Sequence, residues 1–344
     1  MLRFVLRKLL HSLAVIAGVV LLIFVIFFLV GVNPERAISG QRTDEQTQQA
    51  VREKYGLDKP WHNRFGRYLT DISPVWVHSR SDRAEYNFVS LVGGEHVLAL
   101  KFPYLGRSFA TDRRVNEVLG AALLNTVVLA FTAIVIALLI GINLGVMAAV
   151  RKDTWVDRLA LVISSIGVSI PSYFSAILLS YAFGYMLKEF TGLNMIGSLY
   201  DVRGNLVLKN LLLPALALGV RPVAIITQLT RSTMLDVLSA DFVRTATAKG
   251  LAPRKVLFRH ALRNALNPVI TSVSGWMASL LAGAYFVEVI FDFKGLGYVT
   301  VRAIEQFDFP VIMGSVLFAA IIFTSVNIVV DVLYAATDPR VRLK

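Results

Sequence analysis

Arg221 places a guanidinium inside apolar sequence, "LLLPALALGVRPVAIITQLT". A guanidinium there does one of two things. It recognises an anion, ideally a carboxylate held by two parallel N–H bonds, or it pairs with an acidic residue or helix-end carbonyls to lock neighbouring helices. Arg221 lies about 16 Å into a run beginning near Asn210, near the middle of a ~30 Å hydrocarbon core. A charge at that depth costs about 2.5–3.5 kcal/mol on insertion scales, so it must face protein or water. Pro222 follows and removes a backbone donor, a potential kink. Gln228 and Asn125 are polar groups in similar settings, suited to bonds between helices or to the wall of a path. Pro171, in "SIPSYF", is expected to kink the third apolar run and so to shape a gate, although kinks are common in helix bundles. Asn327 and Asp331 stand four apart on one helical face, a structural polar pair in which Asp331 meets a loop arginine.

Other chemistries are missing from the chain. It has no G-x-x-x-x-G-K-[ST] loop, so it cannot cradle ATP phosphates in the usual way, and Lys249-Gly250 stands in the wrong order. The 5 histidines are scattered, without a partner carboxylate or serine. No metal site and no catalytic set is expected, and no cofactor bound by this chain. With 0 cysteines there is no disulfide.

The elements that must position these residues are membrane helices. Of 344 residues, 56% are hydrophobic and 17% charged, with mean hydropathy +0.63. A soluble domain is nearer a quarter charged. The expectation is an all-α polytopic membrane protein with six spans in contact with lipid: about Leu9–Val30, Val118–Val150, Leu159–Met186, Asn210–Thr230, Val269–Ile290 and Val311–Ala335. The first run is too long for a signal peptide and is read as retained. Residues 1–30 form the N-terminal segment and first span, 31–117 a small α/β lobe outside the membrane, 118–335 a five-helix core with a loop at 232–267, and 336–344 a tail. Within the lobe, "TDEQTQQAVREKYGL" has a capping-box start and a terminal glycine, and strand-like runs flank Gly93-Gly94. The net charge of +12 reflects basic short loops on one face of a membrane, not nucleic-acid binding. The N-terminus, the loop with Arg151, Lys152 and Arg158, the 241–268 segment and the tail share that face. Both termini are therefore expected in the cytoplasm, with the lobe on the other side.

"DFVRTATAKGLAPRKVLFRHALRNALNP", Asp241 to Pro268, is basic and helix-patterned between two spans. It reads as two short helices, one ending at Gly250 and one starting near Pro253. Phe242, Ala246 and Lys249 fall on one face; Val256, Leu257, His260, Ala261 and Asn264 form another stripe. Thr245, Ala246 and Ala248 are small and permit close approach. Two readings fit: docking into a groove on a soluble partner, or an interfacial helix lying on anionic lipid.

"RTATAKG" followed by "LRNALNP" resembles the cytoplasmic signature loop of ABC-importer permeases, of general form Glu-Ala-Ala, three residues, Gly. Arg244 stands where that form has Glu and Thr245 where it has the first Ala; Ala246 and Gly250 match. "GVNPERAISG", "LLNTVVLA", "SIPSYFSAILL", "LLLPALALG", "FVEVIFDFKGLG" and "NIVVDVLYAATDPRVR" follow in the order found in the first permease subunit of the dipeptide, oligopeptide and nickel branch. Lys294 stands where the family often has Pro, and the stretch near 75–100 looks inserted. The resemblance implies an importer permease in the plasma (inner) membrane, forming a heterodimer with a second permease subunit. Two cytoplasmic ATPase subunits, which bind the ATP and Mg, would engage Asp241, Arg244, Thr245, Ala246, Gly250 and Leu251. A soluble binding protein outside would deliver the cargo, a peptide, nickel or a similar solute. An ion-driven secondary transporter would instead call for inverted repeats with paired broken spans, and a non-transporting scaffold or sensor would have no dependence on an ATPase.

Overall fold

A segment in lipid must satisfy its backbone polar groups internally, and the apolar runs accordingly close into helices. The computed structural model describes residues 2–29, 49, 58–82, 86–201, 203–281 and 284–337. The helix expected within "TDEQTQQAVREKYGL" lies, apart from residue 49, outside the described residues. In chain order the elements are α1 (Leu2–Leu29), α2 (Trp61–Ile72), β1 (Val75–Ser79), β2 (Val89–Gly93), β3 (His96–Leu100), α3 (Val115–Val150), α4 (Trp155–Ser169) and α5 (Ser172–Leu179). Then come α6 (Lys209–Leu238), α7 (Asp241–Ala248), α8 (residues 253–265), α9 (Asn267–Leu281), α10 (Tyr285–Ile290), α11 (Leu296–Glu305) and α12 (Phe309–Thr337).

The chain divides into two units. One comprises residues 2–122 with 299–321. Its core joins Val20 and Ile23 of α1 to Leu317 of α12, with Tyr68, Leu69 and Ile72 of α2 packed alongside. Phe24 and Phe65 meet with ring centroids 4.5 Å apart. The lobe carries a three-stranded antiparallel sheet in the order β1-β3-β2. β2 and β3 form the expected hairpin, turning at Gly94 and Glu95; β1 is a third strand that adds Val75 opposite Leu100. Asp308, just before α12, is buried and takes the Ser108 hydroxyl and the Phe109 N–H at 3.0 Å.

The other unit comprises residues 123–298 and the chain from 322 onward. Its core gathers Leu129 and Ala133 of α3, Leu213 and Leu218 of α6, and Phe291 and Phe293 of the loop after α10. Gly141 and Gly145 on α3, four apart, let α6 come close. A Cβ on them would stand 2.8 Å from Ile226 Cγ2 and 2.6 Å from Thr230 Cβ, the small-xxx-small contact of membrane helices. A second cluster joins Val146 and Ala149 of α3 to Met234 of α6 and Ala261 and Ala265 of α8. The 151–154 turn, the C-terminal end of α6 and α8 therefore share one end of this unit.

The spans depart from expectation in three places. Among the described residues, four single helices are long and apolar enough to cross a membrane, in α1, α3, α6 and α12. The third expected span is not one kinked helix. α4 and the α5 segment bend by 108° at Ile170-Pro171, because Ile170 and Pro171 both adopt extended backbone. The fourth runs on to Leu238, past Arg231, whose charge is neutralised by Asp157. The fifth is a 15-residue helix, α9, and α10 is separate.

Candidate functional site

α6 is a continuous helix through Pro214 and Pro222, with 13 of its 30 residues buried. Arg221 is exposed, and Ile225, Gln228 and Ser232 follow it at spacings of four, three and four with partial or full exposure. That spacing puts them on one face. The Arg221 guanidinium lies 5.7 Å from the centroid of the Trp276 ring on α9, within cation–π range. Among the described residues no carboxylate pairs with Arg221. The neighbouring helices add hydroxyls to the exposed surface: Ser165 and Ser169 on α4, Thr271 and Ser279 on α9. Ser169 and Thr271 bond to carbonyls of their own helices at 2.9 and 3.2 Å, so their polarity is satisfied without a partner helix. Pro171 is exposed at the α4–α5 bend, in a shallow cavity lined also by Ser169, Tyr173 and Phe174. Tyr173 meets Phe286 edge-on, with centroids 6.0 Å apart.

Asn125 does not join this surface. It is buried, and its Nδ2 donates to the Lys294 carbonyl at 2.8 Å. It tethers the loop after α10. Asn327 is half-buried on α12; Asp331 lies on the same helix, and its side chain is outside the described residues.

The 241–268 segment forms the two expected helices. α7 ends at Gly250, whose φ of +75° is the left-handed geometry that favours glycine. α8 begins at Pro253 and opens into wider turns over Val256–Leu262. Phe242, Ala246 and Lys249, at one helical spacing, differ in exposure: Ala246 is buried while Phe242 and Lys249 are exposed. Val243 and Ala246 are buried against Val256, with Val237, Leu238 and Leu251 packed beside them. Three residues apart, they are the apolar stripe that anchors α7. The outward face is Asp241, Phe242, Arg244, Thr245, Ala248 and Lys249. Asp241 and Arg244 are almost fully open and pair loosely at 3.7 Å.

Two constellations escaped the sequence reading. Glu288 on α10 is fully buried. It accepts the Thr126 hydroxyl at 2.8 Å and the Tyr298 N–H at 3.0 Å, while Thr126 Oγ1 accepts the Leu296 N–H at 2.8 Å. Asp157 at the start of α4 is buried and takes two guanidinium bonds from Arg231 of α6, the second at 2.7 Å. A carboxylate in "FVEVIF" and an arginine in α6, each within apolar sequence, were the available signals. Among the described residues, no group of three or more metal-ligating side chains gathers.

Residues 141–343 match the family described as binding-protein-dependent transport system inner membrane component. Residues 1–130 match its N-terminal companion. The chain belongs to this family of transport permeases. It is a membrane permease subunit of the ABC-importer type, not an enzyme. The permease is 32% identical to the dipeptide transport system permease protein of Alkalihalophilus pseudofirmus, over 99% of this chain and 100% of the relative. It is 35% identical to the glutathione transport system permease protein of Salmonella paratyphi A, over 100% of both. Among solved structures, an inward-facing methionine ABC transporter resembles it with TM-score 0.51 and 17% identity, covering 64% of this permease and 97% of that chain. At that identity the likeness speaks to fold.

Proposed function

We propose that this permease imports di- or oligopeptides, or solutes of similar size and charge, across the plasma (inner) membrane, with both termini in the cytoplasm and the lobe outside. The observation that carries the reading is the construction of α7. Its inner stripe is spent on the bundle, and its outer face, with exposed Phe242 at 46%, is left for a partner. Phe242 suits a pocket on a cytoplasmic ATPase, since hot spots favour aromatic anchors. The chain carries no phosphate-binding loop of its own, so ATP and Mg belong to two separate ATPase subunits. A second permease subunit pairs with this one, and a soluble binding protein presents cargo at the lobe side. The relatives' dipeptide and glutathione cargoes support a peptide-like substrate, whose carboxylate is a fit for Arg221. Arg221, Ile225, Gln228 and Ser232, with the α4–α5 bend at Pro171, form this subunit's wall of the path.

The experiment is co-purification with the ATPase, with and without residues 241–250, followed by uptake in vesicles. Loss of the ATPase and of uptake together is the expected result. An intact complex after the deletion overturns the docking reading.

A further inference from the structure

The pair Asp157–Arg231 joins two helices with different duties. α6 runs into α7 with only Ser239 and Ala240 between them, and Arg231 sits about two turns before that junction. α4 has Asp157 in its first turn. The contact is bidentate, and Asp157 also accepts the Asp153 N–H at 3.0 Å. The two side chains are 3% and 19% exposed. Leaving either charge alone in such a site is costly, which favours α4 and α6 keeping this contact as they move.

At its far end α4 touches α6 again. A Cβ on Gly167 would lie 3.0 Å from the Cβ of Ala224. Between these two contacts α4 is an unbroken helix, and just beyond the second it turns by 108° at Ile170-Pro171. We propose that Asp157–Arg231 is the strut through which α7, once held by an ATPase, moves α4 and so the bend lined by Ser169, Pro171 and Tyr173. Asp157 and Arg231 are positioning residues in this scheme and touch no cargo. The proposal rests on the reading of α7 as the ATPase dock. It adds that the motion reaches the bend through one ion pair and a rigid α4.

The test uses the assembled importer in vesicles and reads three quantities: ATPase retention, ATP hydrolysis, and solute moved per ATP. With Asp157→Asn, retention and hydrolysis are expected to stay near native while solute per ATP falls about tenfold, inside the usual range of coupling between sites. The chain has no cysteine of its own, so Asp157→Cys with Arg231→Cys can be joined by a short bis-methanethiosulfonate, each thiol forming a disulfide as methanesulfinate leaves. Joining is expected to restore solute per ATP without restoring any charge, which a role in folding alone would not do. A native ratio in Asp157→Asn overturns the strut, as does an assembled, joined pair that stays uncoupled. Should Asp157→Asn fail to assemble, Asp157→Ala combined with Arg231→Met removes the pair without leaving a lone buried charge; a native ratio there also overturns it. Phe242→Asp in parallel separates the two readings. ATPase that stays bound to that variant sinks the dock, whereas normal binding with a native ratio in Asp157→Asn sinks only the strut.

Discussion

Glu288 accepts the hydroxyl of Thr126 at 2.8 Å from 162 positions away in the chain, and with its other oxygen takes the N–H of Tyr298 at 3.0 Å. Thr126 in turn receives the N–H of Leu296. Loop and helix are thus tied by a carboxyl group that is fully buried. Glu288→Ala strips the acceptor from two buried donors, each costing about 1–3 kcal/mol unpaired. The expected loss is about 3 kcal/mol, read as a lower midpoint in thermal unfolding of the purified complex. An unchanged midpoint would mean that the network contributes nothing.

The same cluster makes a steric prediction. A Cβ at Gly295 would stand 2.4 Å from Glu288 Cδ, and Glu288 is boxed in. Gly295→Ala is therefore expected to destabilise by about 1–3 kcal/mol, the range for overpacking. Combining it with Glu288→Ala should cost less than the sum, because the second change removes the clash. Strict additivity in the double variant would show that the two sites do not meet.

Arg221 is exposed, with its guanidinium 5.7 Å from the centroid of the Trp276 ring. If it reads a carboxylate, Arg221→Ala loses a charge-assisted hydrogen bond worth about 1.5–3 kcal/mol, roughly 10- to 100-fold in affinity. Uptake of a peptide with a free C-terminal carboxylate should drop, while uptake of its amidated counterpart stays as it was. Equal losses for both peptides would remove carboxylate recognition from this residue.

On α7 the inner and outer faces predict different failures. Phe242→Ala is expected to leave the permease folded and to weaken ATPase retention by about 2 kcal/mol, roughly 30-fold, as hot-spot truncations do. Ala246→Leu overfills the seam with Val243 and Val256. It should cost about 1–3 kcal/mol, visible as faster hydrogen exchange across α7 before any binding assay. Reversed outcomes for the two variants would invert the assignment of faces.

His78 makes the lobe acid-sensitive. It is 5% exposed, with the Tyr86 ring 4.5 Å away and, among the described residues, no hydrogen-bond partner for Nε2. Burial, and after it the positive Lys101, hold its pKa below the ordinary 6.5, with Asp82 opposing. Below about pH 6.5 the unfolded lobe takes up a proton that the folded lobe resists. Stability is therefore full above that pH and declines as acid is added, toward the lower folded pKa. Amide exchange at Val97 and Ala99 should accelerate between pH 7.5 and pH 5 beyond the intrinsic rate, and His78→Phe should abolish the difference. The same acceleration in that variant would exonerate the histidine.

The long apolar runs declared α1, α3, α6 and α12 in advance, because a chain in lipid has almost no alternative to the helix. The α7–α8 segment was legible for a related reason: Gly250 and Pro253 punctuate it, and basic residues keep it out of lipid. Gly141 and Gly145 were a readable close-packing signal that went unused. Sequence could not say which side of each helix is covered. Ala246 and Asn125 turned inward and Arg221 outward because of neighbours supplied by other elements. Nor could hydropathy announce the bend at Pro171 or the extension of α6 past Arg231. A charge in a span reads as a terminus until its partner is known, and Asp157 lies 74 residues away. Periodicity along one helix is local, whereas burial and charge pairing depend on what packs against it, and only the folded chain decides that.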